Sequence, residues 1–192
     1  MAVDMAKKPP APKPPAKKAT KAKAPSARKI AARKPAAKTV RKGPAPLPVS
    51  TGFWLLKSEP DVFSWDMLKA KGKKGEEWSG VRNYLARNNM RAMRLGDLGF
   101  FYHSNIGLEI VGICSVCKLS HPDSTSEDPI WDCVDVEAVC DMPKPVTLVD
   151  VKANEKLAKM SLVTSMRLSV QPVTRDEWLE VCRMGGLDPE KL

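Results

Sequence analysis

The chain contains no apolar run of the length that a cleaved secretion signal or a membrane-crossing helix requires. Export and a bilayer span are therefore not expected, and no membrane partner is. Histidine is nearly missing, with His103 and His121 the only two. Neither they nor the scattered aspartates fall at metal-ligand spacing, so no metal and no cofactor is expected. No recognised nucleophile motif is present, and an enzyme is not expected either. The five cysteines are an odd number in a chain without a secretion signal, which points to reduced thiols. Cys114 and Cys117 have CxxC spacing without a second pair, and lie in a strand-like run where i and i+3 side chains face opposite ways. They read as core or edge thiols.

Aromatics are missing from the first fifty residues and acids nearly so, where fourteen Lys and Arg stand against Asp4 alone, a net +13. The remaining 142 residues are mildly acidic at −3, so the whole-chain charge of +10 belongs to the N-terminal segment. That segment also holds ten of the seventeen prolines and cannot bury enough apolar surface to offset its ordering entropy. The expected organisation is a disordered basic tail over 1–50 and one compact domain over 51–192. The tail resembles that of a linker histone, and each base that meets a phosphate releases counterions. It reads as a nucleic-acid anchor that doubles as a nuclear address, or as a solvated linker. A transit peptide is disfavoured because ten prolines prevent the amphipathic helix it needs.

Within the domain, strands are expected at 53–57, 98–102, 109–119, 131–139 and 167–171, the last stopped by Pro172, with Pro143 and Pro145 breaking the chain. Ser64 caps a short helix through Lys69, and a second helix runs from Asn83 to Met93 with Arg82, Arg87, Arg91 and Arg94 on one side. One or two helical turns fall within 149–160. Thr174 with Glu177 forms a capping box for a last helix that ends at Gly185 and Gly186. Short strands interrupted by helices, without βαβ alternation, indicate an α+β domain built on a mixed β-sheet or partial barrel with flanking short helices.

Three polar and aromatic clusters mark a candidate site. A buried strand does not ordinarily end in Lys57, Ser58, Glu59 and Pro60 unless those groups line something. Trp78 through Gly80, Val81, Arg82 and Asn83 form the second cluster, and His103, Ser104 and Asn105 end the third behind two Phe and a Tyr. Together they suggest a concave small-ligand site with aromatic walls. A flipped base offers a face for stacking and an edge for hydrogen bonds. Trp54 and Trp78 are the candidate walls, each with a core reading beside it, while Trp65, Trp131 and Trp178 read as packing residues. Lys57, Ser58 and Glu59 supply a donor, a mixed group and an acceptor, or Lys57 pairs with Glu59 as a salt bridge. Asn83 suits amide recognition of a base, and Arg82 an oxygen of base or phosphate. Arg87, Arg91 and Arg94 form a phosphate track or a solvated face. Ser169 and Gln171 share one strand face, and one of them is placed to reach the site.

The ordered blocks WLLKSEP, WSGVRN with ARNNMR, GDLGFFYHSN, IVGI and RLSVQPVT, spread over 53–184, resemble the EVE domain family. The resemblance implies a PUA-like fold, related to the YTH readers of methylated adenine, and a role in holding a modified nucleobase, modified cytosine in DNA foremost. The chain departs from the family pattern at Ile106-Gly107-Leu108-Glu109, where a Pro-Gly is usual, and in a shortened segment before Trp131.

The reading that follows is a monomeric reader of a modified base, DNA favoured over RNA, acting in the nucleus, with the tail adding phosphate contacts. An architectural chromatin protein bound through its tail is the alternative, and a nucleotide-modifying enzyme a more distant one.

Overall fold

A computed structural model of the chain describes residues 50–192. The expected disordered tail and its boundary at residue 50 fall on residues outside those described, apart from Ser50 itself.

Six strands form one mixed sheet in the order β2-β5-β4-β3-β1-β6. They are β1 (Phe53–Ser58), β2 (Glu76–Glu77), β3 (Leu98–His103), β4 (Glu109–Pro122), β5 (Asp132–Thr147) and β6 (Val170–Pro172). β1 and β3 run parallel and the other neighbours antiparallel. The helices are α1 (Trp65–Lys71), α2 (Tyr84–Ala92), α3 (Leu148–Ala153), α4 (Ser161–Thr164) and α5 (Arg175–Met184). This is the mixed-sheet α+β architecture that the sequence implies. Among the described residues no helix is long and apolar enough to cross a membrane.

Both faces of the central strands are covered, which is why β1 and β3 read as continuous apolar runs rather than alternating ones. On one face Trp54, Leu56, Phe101 and Val134 pack with Trp65 and Leu68 of α1 and Ala86 and Met90 of α2. On the other, Leu55, Phe100 and Ile113 pack with Val151, Leu162, Trp178 and Val181. The Trp178 ring stacks on Phe100 at 4.2 Å and Phe53 at 4.7 Å between centroids. Gly112 in β4 lies under the Trp65 indole, where a Cβ would come within 2.2 Å of the ring.

Local signals fall where expected. Ser64 accepts from the Met67 N–H, Asn83 from the Leu85 and Ala86 N–H groups, and Thr174 with Glu177 closes a capping box. One boundary is corrected. Pro143 and Pro145 do not break the chain, because β5 continues through them to Thr147. Ile110 pairs with Val146 and Gly112 with Asp141, so residues 142–145 bulge out opposite Val111 alone. The ladder asks no N–H of either proline there. The last strand is also shorter than expected and includes Pro172, which sits on the edge strand β6 opposite Trp54.

Candidate functional site

The parallel pairing of β1 and β3 sets Ser58 beside His103, so two of the three clusters end at the same edge of the sheet. The Ser58 carbonyl accepts from the Ser104 N–H at 2.8 Å and from its hydroxyl at 3.1 Å. Ser58 Oγ donates to the Phe63 carbonyl at 2.6 Å, and the Glu59 carbonyl accepts from Val62 and Phe63, closing a tight turn that leads into α1. His103 Nε2 accepts from the Trp65 N–H at 3.2 Å. Burial pulls the His103 pKa below its ordinary value, against the opposing pull of Glu109 and Asp66.

Phe101 is the hub of this end. Trp65, Trp78, His103 and Phe63 approach its ring at 5.2, 5.4, 5.7 and 6.3 Å between centroids. Trp78 and His103 therefore share one neighbourhood, and Phe63, which the sequence reading passed over, joins them. Trp78 is only 6 % exposed, so most of its ring area is already covered. Trp54 is fully buried and donates its indole N–H to Asp97 at 2.8 Å. Its expected role as a pocket wall is corrected to a core role. Val81 is buried in the same core, whereas Glu59, Gly80 and Asn105 are exposed. Gly80 adopts φ +76° and donates its N–H to Asp123.

Lys57 points to the opposite face, over the Tyr102 ring at 5.8 Å, and donates to the Met166 carbonyl at 3.0 Å. It forms no salt bridge with Glu59, and burial lowers its pKa. Met166 belongs to segment 163–168, which with Asn83 and Leu85 lines a cavity of about 420 Å³ at the β6 edge. Gln171 does not reach into that cavity as a ligand group. It is fully buried, and its amide donates to the carbonyls of Ser165 and Leu168 at 2.9 Å each, holding the rim from behind. Ser169 is half-buried, and its carbonyl accepts from the Lys57 N–H at 2.9 Å. Thr164, Ser165, Met166 and Arg167 were missed by sequence reasoning. Arg167 opens the RLSVQP block and the other three precede it directly, which was their one signal, since no periodicity marks them.

The arginine stripe is mostly committed to the protein itself. Arg82 meets the Asp123 carboxylate at 2.7 Å, and the Asp123 side chain is fully buried. Burial would raise that carboxyl, but hydrogen bonds from Thr125, Arg82 and Gly80 bring it down to about 2. Arg87 is 8 % exposed, donates to Asn88 and to the Ile130 carbonyl, and lies 5.0 Å from the Tyr84 ring. Arg91 pairs with Asp132. The phosphate track is therefore corrected for Arg87 and Arg91, which fasten α2 to the segment before β5. Arg94 is exposed and no side-chain partner of it is found among the described residues. Trp131 packs as expected, though at the surface rather than in the core: it is half-buried and tilted against Tyr84 at 5.1 Å, with Arg82 and Arg87 beside it.

All five cysteines are free thiols, and Cys114 is buried with its Sγ against the Gly99 carbonyl. One grouping escaped the spacing argument altogether: Glu77, His121, Cys133 and Asp135 bring their donor atoms within 4.8 Å of one another.

Comparison with known proteins gives a consistent set of matches. The family model described as EVE domain matches residues 52–184. Human thymocyte nuclear protein 1 is 37% identical over 168 residues, covering 71% of this chain and 75% of that protein. A crystal structure of a protein from Agrobacterium tumefaciens is 74% identical, with a TM-score of 0.70 over 70% of this chain and 93% of that one. The structure of the human protein in complex with 5-methylcytosine-containing DNA is 37% identical, with a TM-score of 0.66 over 71% of this chain and 99% of that one.

Proposed function

This chain belongs to the EVE domain family, and on that footing we propose that it binds nucleic acid by holding one modified base in the hollow at the β6 edge. DNA carrying a modified cytosine is the favoured ligand, because a 37% identical relative has been crystallised with 5-methylcytosine-containing DNA. One observation carries the choice of place. Three blocks far apart in sequence meet there: Asn83 and Leu168 line one cavity, and Lys57 grips its rim through the Met166 carbonyl. The cavity volume, about 420 Å³, lies in the range of about 300–1,000 Å³ usual for small-ligand sites.

The side chains divide the work by their free groups. Asn83 Oδ1 is occupied by two helix N–H groups, which leaves its amide hydrogens for a base edge. Tyr84, 59 % exposed and next to Asn83 in the chain, turns its ring to Trp131 and does not line the cavity. Arg167 and Arg94 are exposed cations suited to phosphate. Trp78, His103, Ser58 and Ser104 act as the rigid support behind the strand ends. The basic tail over 1–50 adds sequence-independent phosphate contacts that weaken with salt. Binding rather than catalysis fits this arrangement. Ser58 Oγ is spent on the Phe63 carbonyl and His103 Nε2 on the Trp65 N–H, so these two do not form a nucleophile and base pair.

The protein is proposed to reside with DNA. Its mouse and human relatives bear the word nuclear in their names, while the 74% identical relative comes from a bacterium, which has no nucleus. Association with the cell's DNA is the form of the proposal that both kinds of relative allow.

The test uses the full chain and two DNA duplexes that differ only in cytosine methylation. Preferential binding of the methylated duplex is expected, and it should be lost in Asn83→Ser, which keeps an N-cap hydroxyl but removes the amide donors. Equal affinity for both duplexes, or an undiminished preference in the variant, overturns the proposal. Removing residues 1–49 should weaken both duplexes alike and leave their ratio intact. If binding and preference vanish together, the tail alone is the binder.

A further inference from the structure

We propose that Glu77, His121, Cys133 and Asp135 form a four-donor site for a zinc-class divalent transition-metal ion at the loop end of the β4–β5 hairpin. The donors come from three strands, and their register brings them together. His121 pairs with Cys133 across β4 and β5, and Glu77 pairs with Asp135 across β2 and β5. Cys133 and Asp135 alternate onto one face of β5. All four donor atoms lie within 4.8 Å of one another. Bonds of about 2.0–2.3 Å to a tetrahedral ion bring such donors somewhat closer than that, a contraction that side-chain rotation supplies.

The surroundings favour a cation. Glu77 and Asp135 are like charges in directly opposed positions, an unfavourable cross-strand pair in a sheet. The Asp135 side chain is 16% exposed, and its nearest ammonium, Lys118 Nζ, stands 3.6 Å away. Glu77 accepts only from the Ser124 hydroxyl among the described residues. Cys133 is fully buried, and its Sγ lies 3.6 Å from His121 Nε2 and 3.9 Å from the Pro122 carbonyl.

The imidazole is already oriented for the task. His121 Nδ1 is 3.1 Å from the Pro122 carbonyl, which can only accept, so the proton belongs on Nδ1. A backbone partner of this kind on the far nitrogen is the usual support of a metal-bound histidine. Nε2, now 2.7 Å from Asp135 Oδ1, faces the other donors. When the ion enters, metal–sulfur and metal–nitrogen bonds form. The thiol proton of Cys133 leaves to solvent, as does any proton that His121 Nε2 carries.

The donor set selects the class of ion. A thiolate and an imidazole suit zinc and its neighbours, and are poor ligands for magnesium or calcium. Four protein donors leave no open position, which marks a structural site rather than a catalytic one. Its consequence lies in the loop 123–131, which the ion would clasp at both ends. That loop carries Asp123, which holds Gly80 and Arg82, and Trp131, which packs on Tyr84.

The test is made on the full chain after chelator treatment, with Co²⁺ as probe and Zn²⁺ as competitor. The first fifty residues contain neither Cys nor His, so the tail offers no rival thiolate or imidazole. Expected are one Co²⁺ per chain, the strong visible absorption of a tetrahedral ion, a sulfur-to-cobalt charge-transfer band, and displacement by Zn²⁺ with a rise in Tm. His121→Ala should weaken Co²⁺ binding about tenfold or more, Cys133→Ser should remove the charge-transfer band, and Cys140→Ser should retain it. Absence of saturable binding overturns the proposal, as does a spectrum without sulfur ligation. Affinity unchanged in His121→Ala, a position whose side chain is 18% exposed and which tolerates substitution better than fully buried Cys133, overturns it as well. No nucleic acid enters these readouts, so the metal site stands or falls apart from base reading.

Discussion

His103 Nε2 accepts the backbone N–H of Trp65 at 3.2 Å, pinning the first residue of α1 to the last residue of β3. The acceptor must be unprotonated, and burial holds the His103 pKa below its ordinary value. The folded state then binds fewer protons than the unfolded one in the interval between the two values. The stability from this group is complete above about pH 6.5, the unfolded value, and is lost as pH falls through the lower folded value. Urea unfolding followed by tryptophan fluorescence should show a fall in midpoint below about pH 6.5. His103→Gln supplies a carbonyl acceptor that does not titrate, so that fall should disappear. An NMR titration placing His103 above the ordinary histidine value would refute this account.

Asp123 titrates in a separate, more acidic window. Its pKa of about 2 lies below the ordinary carboxylate value, so its contribution is present above about pH 4 and is lost as pH falls toward 2. The depression corresponds to about 2 kcal/mol at neutral pH. Asp123→Asn should cost roughly that amount at pH 7 and flatten the acid limb of the stability profile. Glu180, also brought down to about 2 by Arg183, Asn154 and Lys156, titrates in the same range, so the comparison must be wild type against variant.

Gly112 should be intolerant of any side chain. A Cβ there would stand 2.2 Å from the Trp65 indole, which its Nε1–H bond to Asp141 holds in place while the Trp65 backbone N–H is tied to His103. Gly112→Ala should lower stability by about 1–3 kcal/mol in denaturant unfolding. It should also disturb the His103 titration, because Trp65 carries both contacts, its ring over Gly112 and its backbone N–H on His103.

Arg87 and Arg94 should part company. Arg87→Ala removes a nearly buried guanidinium from the Ile130 carbonyl and Asn88, so it should lower stability by about 1–3 kcal/mol while the folded protein keeps its DNA affinity. Arg94→Ala should change stability by no more than about 0.5 kcal/mol. It should weaken DNA binding regardless of methylation and reduce the salt slope by about one. The reverse pattern in binding and unfolding assays would restore the phosphate track to Arg87.

The amino-acid sequence alone determined the local events. Ser64, Asn83 and Thr174 cap helices because a short polar side chain reaches back to N–H groups only two or three residues away. The apolar runs of β1 and β3 declared themselves buried on both faces for a similar reason, since burial acts on every residue in turn. What tertiary structure decided was pairing across long separations. Whether Trp54 faced a ligand or Asp97, whether Arg87 met phosphate or the Ile130 carbonyl, and whether two prolines broke β5 or bulged from it depended on strand register and on which neighbour arrived. The same register put Glu77 opposite Asp135 and His121 opposite Cys133, a meeting that no spacing along the chain announces. Contacts made by the backbone with its own neighbours are written in order, whereas those made by folding are written only in the sheet.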